Sequence, residues 1–245
     1  MLCQFTVKNF KSIRDEVTFD MQAAAISEHE DRIIIDKDEE KYLPVSVIYG
    51  PNGGGKSNVL AALYTLVAKV LRPLFATEDS EEKVLLQKKI IVEPFAFSVS
   101  KDEPTEFELF FRTTVSEYRY ILHVKRDIVL YESLDRVKLE TGRKSALFTR
   151  DENDIILKGA FAKLKVSDEL SKTLTLLSYL GIAYKGNAVV KDVLSWFEYG
   201  IEFLNYGNPI QELRMAVSTT EEVKQLMLQM IQEMDLDIVD FRGEE

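Results

Sequence analysis

Apolar and polar residues alternate at the start of the chain, Phe5-Thr6-Val7-Lys8-Asn9-Phe10, as in a strand with one buried face. A second alternating piece, Val17-Thr18-Phe19-Asp20-Met21, follows the connector Lys11-Ser12-Ile13-Arg14-Asp15, so the two are expected to pair. Residues 28–42 are mostly charged around Ile33-Ile34-Ile35 and read as a loop with one short strand. Pro44-Val45-Ser46-Val47-Ile48-Tyr49 is a short β-branched run ending at Gly50 and predicts a buried strand entering a turn. Four longer alternating segments come later, Ile90–Val99, Thr105–Arg112, Glu117–Lys125 and Asp127–Leu134, with shorter ones at Ser145–Thr149 and Asp154–Leu157. Their close spacing favours antiparallel pairing.

Two stretches change to helical spacing. Val59, Leu60, Leu63, Leu66, Val67, Val70 and Leu71 recur three and four apart after Lys56, with Pro73 as the expected end. After Ser167 the period is helical again. Ser167–Leu180 predicts a helix capped by Ser167 and stopped at Gly181, and Ala188–Leu204 predicts a second. Ser218 and Glu221, at capping-box spacing, open a third that runs to about Met234.

Composition adds bounds. The 245 residues are 46% hydrophobic and 29% charged, enough for a real core. The net charge of −10 argues against a protein that coats nucleic acid through bulk electrostatics. Ten acidic and three basic residues lie between Ile201 and Glu245, leaving the first 200 residues near neutral. One cysteine, Cys3, cannot form an internal disulfide. No signal-peptide pattern opens the chain, and no apolar stretch approaches the roughly 18 residues that cross a bilayer. The expectation is a cytoplasmic protein with no membrane partner.

The turn after Tyr49 carries the chemistry. Gly50-Pro51-Asn52-Gly53-Gly54-Gly55-Lys56-Ser57 fits G-x-x-x-x-G-K-[ST] at every position. Glycines let the backbone curl so that N–H groups face phosphate oxygens, and Gly55 feeds a helix N-terminus with partial positive charge. Lys56 is expected to reach the β- and γ-phosphates, and the Ser57 hydroxyl to ligate Mg²⁺. ATP and Mg²⁺ are thus the expected ligands, held between Gly50 and Asn58.

With Asn58, the turn reads Gly-Pro-Asn-Gly-x-Gly-Lys-Ser-Asn. It resembles the Walker A of the SMC, RecF and double-strand-break repair ATPases and of the overcoming-lysogenization-defect nucleases. Phe5-Thr6-Val7-Lys8-Asn9-Phe10-Lys11-Ser12-Ile13 is similar to the N-F-[RK]-S opening of the same group. The best likeness is to bacterial AAA-type ATPases with an ABC-like core, often tied to abortive infection and phage defence. Pro104–Glu108, Tyr118–Tyr120, Tyr131–Leu134 and Met234–Phe241 look like pieces of that group. The resemblance implies that Lys11 and Ser12 lie close to the nucleotide. It also implies that two ATP-bound heads associate as a homodimer to control an effector. The family's Walker B run ending in Asp-Glu and its Ser-Gly signature are not found here; the resemblance places them after Glu245, in a missing C-terminal half or a separate chain.

The expected architecture is α/β: the first lobe of an ABC/SMC-like P-loop head with an antiparallel β subdomain and the start of a helical lobe. Residues 1–160 form the nucleotide-binding lobe in this reading, and 161–245 begin the helical one. A nucleotide-gated scaffold without hydrolysis is the alternative. A guanine-specific enzyme lacks its Asn-Lys-x-Asp motif. His29 and His123 have no metal-ligand spacing. Trp196, Phe197, Tyr199 and Phe203 read as a packing stripe, with a base-stacking platform as the alternative. Lys138, Arg143, Lys144 and Arg150 read either as nucleic-acid contacts or as a solvated strand edge.

Overall fold

Successive period-two segments pair with their chain neighbours to build most of the protein. The computed structural model describes residues 1–25, 30–75, 90–97, 103–203, 225 and 228–229. The segment of sequence around Met234, His29 and all of the helix expected from Ser218 except residues 225, 228 and 229 lie outside them; those three residues are helical. By internal contacts the chain divides into Met1–Ile201 and Glu202–Glu245. In the second unit Leu228 is a buried helical residue.

The first unit is a mixed α/β fold on one antiparallel sheet in the order β2-β1-β5-β6-β7-β8-β9. The strands are β1 (Leu2–Lys8), β2 (Val17–Asp20), β5 (Thr105–Arg112), β6 (Ser116–Lys125), β7 (Ile128–Lys138), β8 (Lys144–Asp151) and β9 (Asp154–Leu157). Between them, β3 (Ile34–Ile35) and β4 (Lys41–Tyr42) form a separate small hairpin. The expected pairing of the first two strands is present, with Phe5 opposite Phe19 and Val7 opposite Val17. Alternation is clean in β6, where Tyr118, Tyr120, Leu122 and Val124 are buried and Arg119 is exposed.

The described residues of this unit include three α-helices: α1 (Lys56–Phe75), between β4 and β5, and α2 (Leu176–Ala183) and α3 (Ala188–Tyr199), after β9. Ala62, Leu63, Leu66, Val67 and Val70 give α1 its buried face. It is long and apolar enough to cross a membrane by length and composition, where no such stretch is expected from the sequence, and its Ala62–Val70 face is buried within the fold. In α3, Trp196 and Phe197 pack on the sheet, with ring centroids 4.5 and 5.5 Å from Phe111. These two are core residues, whereas Tyr199 is exposed.

Several expectations fail for nonlocal reasons. Residues 44–49 form no strand: Val45, Val47 and Tyr49 are 71%, 73% and 89% exposed. A strand persists through ladder bonds, and no described strand runs beside this one. Residues 90–97 are likewise irregular, their backbone bonded to turns, as in Val92 N to Arg126 O at 2.8 Å. The helix expected from Ser167 starts instead at Leu176. Thr175 caps it, and the buried Glu132 carboxylate accepts from Leu176 N at 2.6 Å and Leu177 N at 2.9 Å. Gly181 lies inside that helix rather than after it. A Cβ there would meet Leu194 at 2.6 Å and Leu74 at 2.7 Å, so glycine serves the close approach of α1 and α3. Pro73 sits in the last turn of α1, which continues to Phe75. Arg150 is 1% exposed and donates to Glu152 O at 3.0 Å and Leu174 O at 2.7 Å, so it is a buried structural residue and not part of a solvated strand edge.

Candidate functional site

The glycine-rich turn delivers the chain into α1 through a backbone that few residues can adopt. Gly53 and Gly55 have φ of 80° and 83°, where an L side chain is strained. Gly54 N donates to Pro51 O at 3.1 Å, and Asn58 N to Gly55 O at 2.9 Å. A Cβ on Gly54 would lie 3.0 Å from Pro51 O, so the curl also needs that position bare. Pro51, Asn52 and Gly53 are exposed at the tip, and Ser57 is exposed on the first turn of α1. That turn carries no acidic residue to compete with an anion for the helix N-terminus.

Lys56 folds back over the loop. Its Nζ donates to Gly50 O and Pro51 O, both at 2.8 Å. These carbonyl oxygens stand in for the oxygens of an anion: the ammonium is positioned inside the curl and satisfied by partners that a phosphate can replace.

A second turn abuts the first. Phe10 N donates to Ile13 O at 2.8 Å and Ile13 N to Phe10 O at 2.7 Å, closing a two-residue hairpin with Lys11 and Ser12 at its tip. Ser12 Oγ accepts from Asn58 Nδ2 at 2.7 Å, and a Cβ on Gly55 would lie 3.1 Å from that same oxygen. Ser12, Gly55 and Asn58 are therefore brought together. Lys11, at the same tip, lays its ammonium over the Phe10 ring, its Nζ 5.4 Å from the centroid.

Asn9 holds this hairpin, a role the sequence reading missed. It is fully buried at φ 56°, a region that asparagine tolerates better than most residues. Its Nδ2 donates to Glu103 O at 3.0 Å and Pro104 O at 3.1 Å, and its Oδ1 accepts from Phe95 N at 3.0 Å. The usable signal was an asparagine where the strand alternation stops.

Two hydrogen bonds, one buried and one partly buried, hold α1 behind the loop. Lys69 Nζ donates to Asp127 O and Ser178 Oγ to Val70 O, each at 2.7 Å. Among the described residues no group of three His, Cys, Asp or Glu side chains could hold a metal ion. His123 lies against Tyr131 with centroids 5.1 Å apart, and burial lowers its pKa; it is a packing residue. The arrangement of curled backbone, helix N-terminus, inward lysine and adjacent serine hydroxyl is suited to a polyphosphate with its counter-cation.

Residues 45–205 of 245 match a family model described as "AAA domain, putative AbiEii toxin, Type IV TA system". No curated protein matches the chain.

Proposed function

The chain belongs to this AAA-domain family, related to abortive-infection proteins, and from that we propose that its glycine-rich turn binds ATP with Mg²⁺ to drive an ABC/SMC-like ATPase cycle. The observation that carries the reading is Lys56, its ammonium held inside the curl by two carbonyls at 2.8 Å. Gly50 to Asn58 would cradle the phosphates, Lys56 would neutralise them, and the exposed Ser57 hydroxyl would hold Mg²⁺. The metal, when bound, spreads and neutralises phosphate charge. Ser12 would stand beside the nucleotide by its contact with Asn58, and Lys11 would reach it by turning off Phe10.

Residues 1–160 act in this reading as the nucleotide-binding lobe and 161–245 as the start of a helical lobe. ATP-bound heads associate as a homodimer and switch an effector or a nucleic-acid activity of the phage-defence kind, in the cytoplasm. Val45, Val47 and Tyr49, exposed next to the loop, are apolar surface that such an association would cover. Hydrolysis needs a positioned water and a well-held metal beyond the P-loop. No apolar run ending in paired carboxylates lies between Ser57 and Glu245, which favours a nucleotide-gated module as the second reading for these residues.

Calorimetry with ATP–Mg²⁺ tests the site. Lys56→Ala should weaken binding by about 1.5–3 kcal/mol. Equal affinities for wild type and variant would remove the assignment. A phosphate-release assay separates the two readings: turnover at background rate supports the gated module, and turnover abolished by Lys56→Ala supports a complete ATPase.

A further inference from the structure

A cavity of about 630 Å³ opens at the opposite end of the sheet from the glycine-rich turn. Arg112 N bonds Met1 O at 2.8 Å, and the Thr114-Val115-Ser116 turn that follows lines the cavity. Ser12 lies beyond the other end of β1, a strand of seven residues and so roughly 20 Å long. The cavity is thus separate from the loop that Lys56 occupies.

Three basic side chains and two acidic ones line it, an excess of positive charge in a chain that is acidic overall. Arg136 and Lys138 come from β7, and Lys37 from the turn between β3 and β4. Lys37 is placed by its neighbours. The buried Arg112 guanidinium bonds Asp36 at 3.0 Å and Asp38 at 2.7 and 2.8 Å. The two acids flanking Lys37 are tied to Arg112, and the Lys37 ammonium reaches over Thr114 O at 3.4 Å. The Nε of Arg136 is shielded from solvent and has no hydrogen-bond partner among the described residues. Such a group is costly to leave unmet and invites an acceptor. Of the two acids on the wall, Glu140 and Asp192, Asp192 already accepts from Tyr118 OH at 2.7 Å and Thr113 Oγ1 at 3.0 Å. Val115, Leu139 and Val189 make the remaining wall apolar.

We infer that this cavity binds a small organic anion, a phosphate or carboxylate on an apolar or aromatic body, with its anionic head on Arg136 and Lys37. The volume lies within the range of small-molecule sites. A guanidinium fork suits both head groups. A nucleic-acid backbone would instead need an extended basic groove. Of the basic residues on the β7–β8 hairpin, Arg136 and Lys138 line the cavity, and Arg143, Lys144 and Arg150 do not.

The test titrates phenyl phosphate and benzoate into the 245-residue chain while following the arginine Nε–H signals by ¹H–¹⁵N NMR. The Arg136 signal is identified by its loss in Arg136→Lys. Expected is a saturable shift of that signal by either probe, weakened severalfold in the surface variant Lys37→Ala and unchanged in Lys56→Ala; in Arg136→Lys, followed through the backbone amides of Val115 and Ser116 on the cavity wall, the affinity falls at least tenfold. The inference is overturned if neither probe saturates up to about 10 mM, one decade weaker than a millimolar complex. It is also overturned if phenol shifts the signal as strongly, if Lys56→Ala abolishes the effect, or if a single-stranded oligonucleotide binds there more tightly than phenyl phosphate.

Discussion

Ser12 and Asn58 are joined by a 2.7 Å hydrogen bond across 46 positions of sequence, from Asn58 Nδ2 to Ser12 Oγ. The bond ties the tip of the first hairpin to the first turn of α1, with Gly55 between them.

Gly55→Ala should disturb that junction twice. Its φ of 83° disfavours any side chain, and the new methyl would press on Ser12 Oγ from 3.1 Å. The expected loss is about 1–3 kcal/mol of stability, with ATP affinity reduced as well. Adding Ser12→Gly should restore the steric share only. Chemical denaturation of the single and double variants checks this; a neutral Gly55→Ala would mean the loop relaxes freely.

Asn9→Ala removes three hydrogen bonds to backbone groups, those of Glu103, Pro104 and Phe95. It also leaves alanine at φ 56°. A loss of about 2–4 kcal/mol is expected from unmet groups and strain together. Asn9→Gly relieves the strain and keeps the loss of bonds, so it should fall between wild type and alanine. Melting curves give the order, and a glycine variant as stable as wild type would show that the side-chain bonds contribute nothing.

The period-two strands β5 to β9 were legible because each pairs with its neighbour in the chain, so local alternation and global pairing agree. The glycine-rich turn was legible because phosphate cradling fixes residue types at fixed spacing. Residues 44–49 misled because their alternation states an affinity for a sheet and not the presence of a partner strand. The start of α2 misled because it is set by Glu132, a strand residue 44 positions before Leu176. Ser12 beside the loop came from resemblance alone. The packing of Arg150 and the role of Gly181 depend on contacts that no local pattern encodes.

Glu132 gives a pH signature. Burial raises its pKa above the ordinary 4.5, against the opposing pull of the Leu176 and Leu177 N–H groups and the Tyr120 hydroxyl. The folded state therefore keeps a proton that the unfolded chain releases, and this group's contribution falls as pH rises above about 4.5. Glu132→Gln lacks that titration. It also turns an amide donor toward a backbone donor, at about 1–3 kcal/mol. The stability advantage of wild type over the variant should shrink with rising pH; an advantage constant from pH 4 to 8 would contradict the assignment.

Cys3 should be chemically silent in the folded protein. It is 3% exposed, and burial pushes its pKa up to about 11. With no other thiol in the chain, the readout is clean. Ellman's reagent near neutral pH should report no thiol before denaturant and one equivalent after it. Rapid labelling of the folded chain would show that β1 opens readily.

The bonds that Lys69 and Ser178 make sit more than three turns beyond Lys56. The Asn58–Ser12 bond holds the first turn of the same helix. Between them, Ala62, Leu63, Leu66 and Val67 are buried. Sliding α1 along its axis would break all three bonds at once, so the helix is a rod pinned at both ends, and a ligand drawn onto Lys56 bears on a fixed seat.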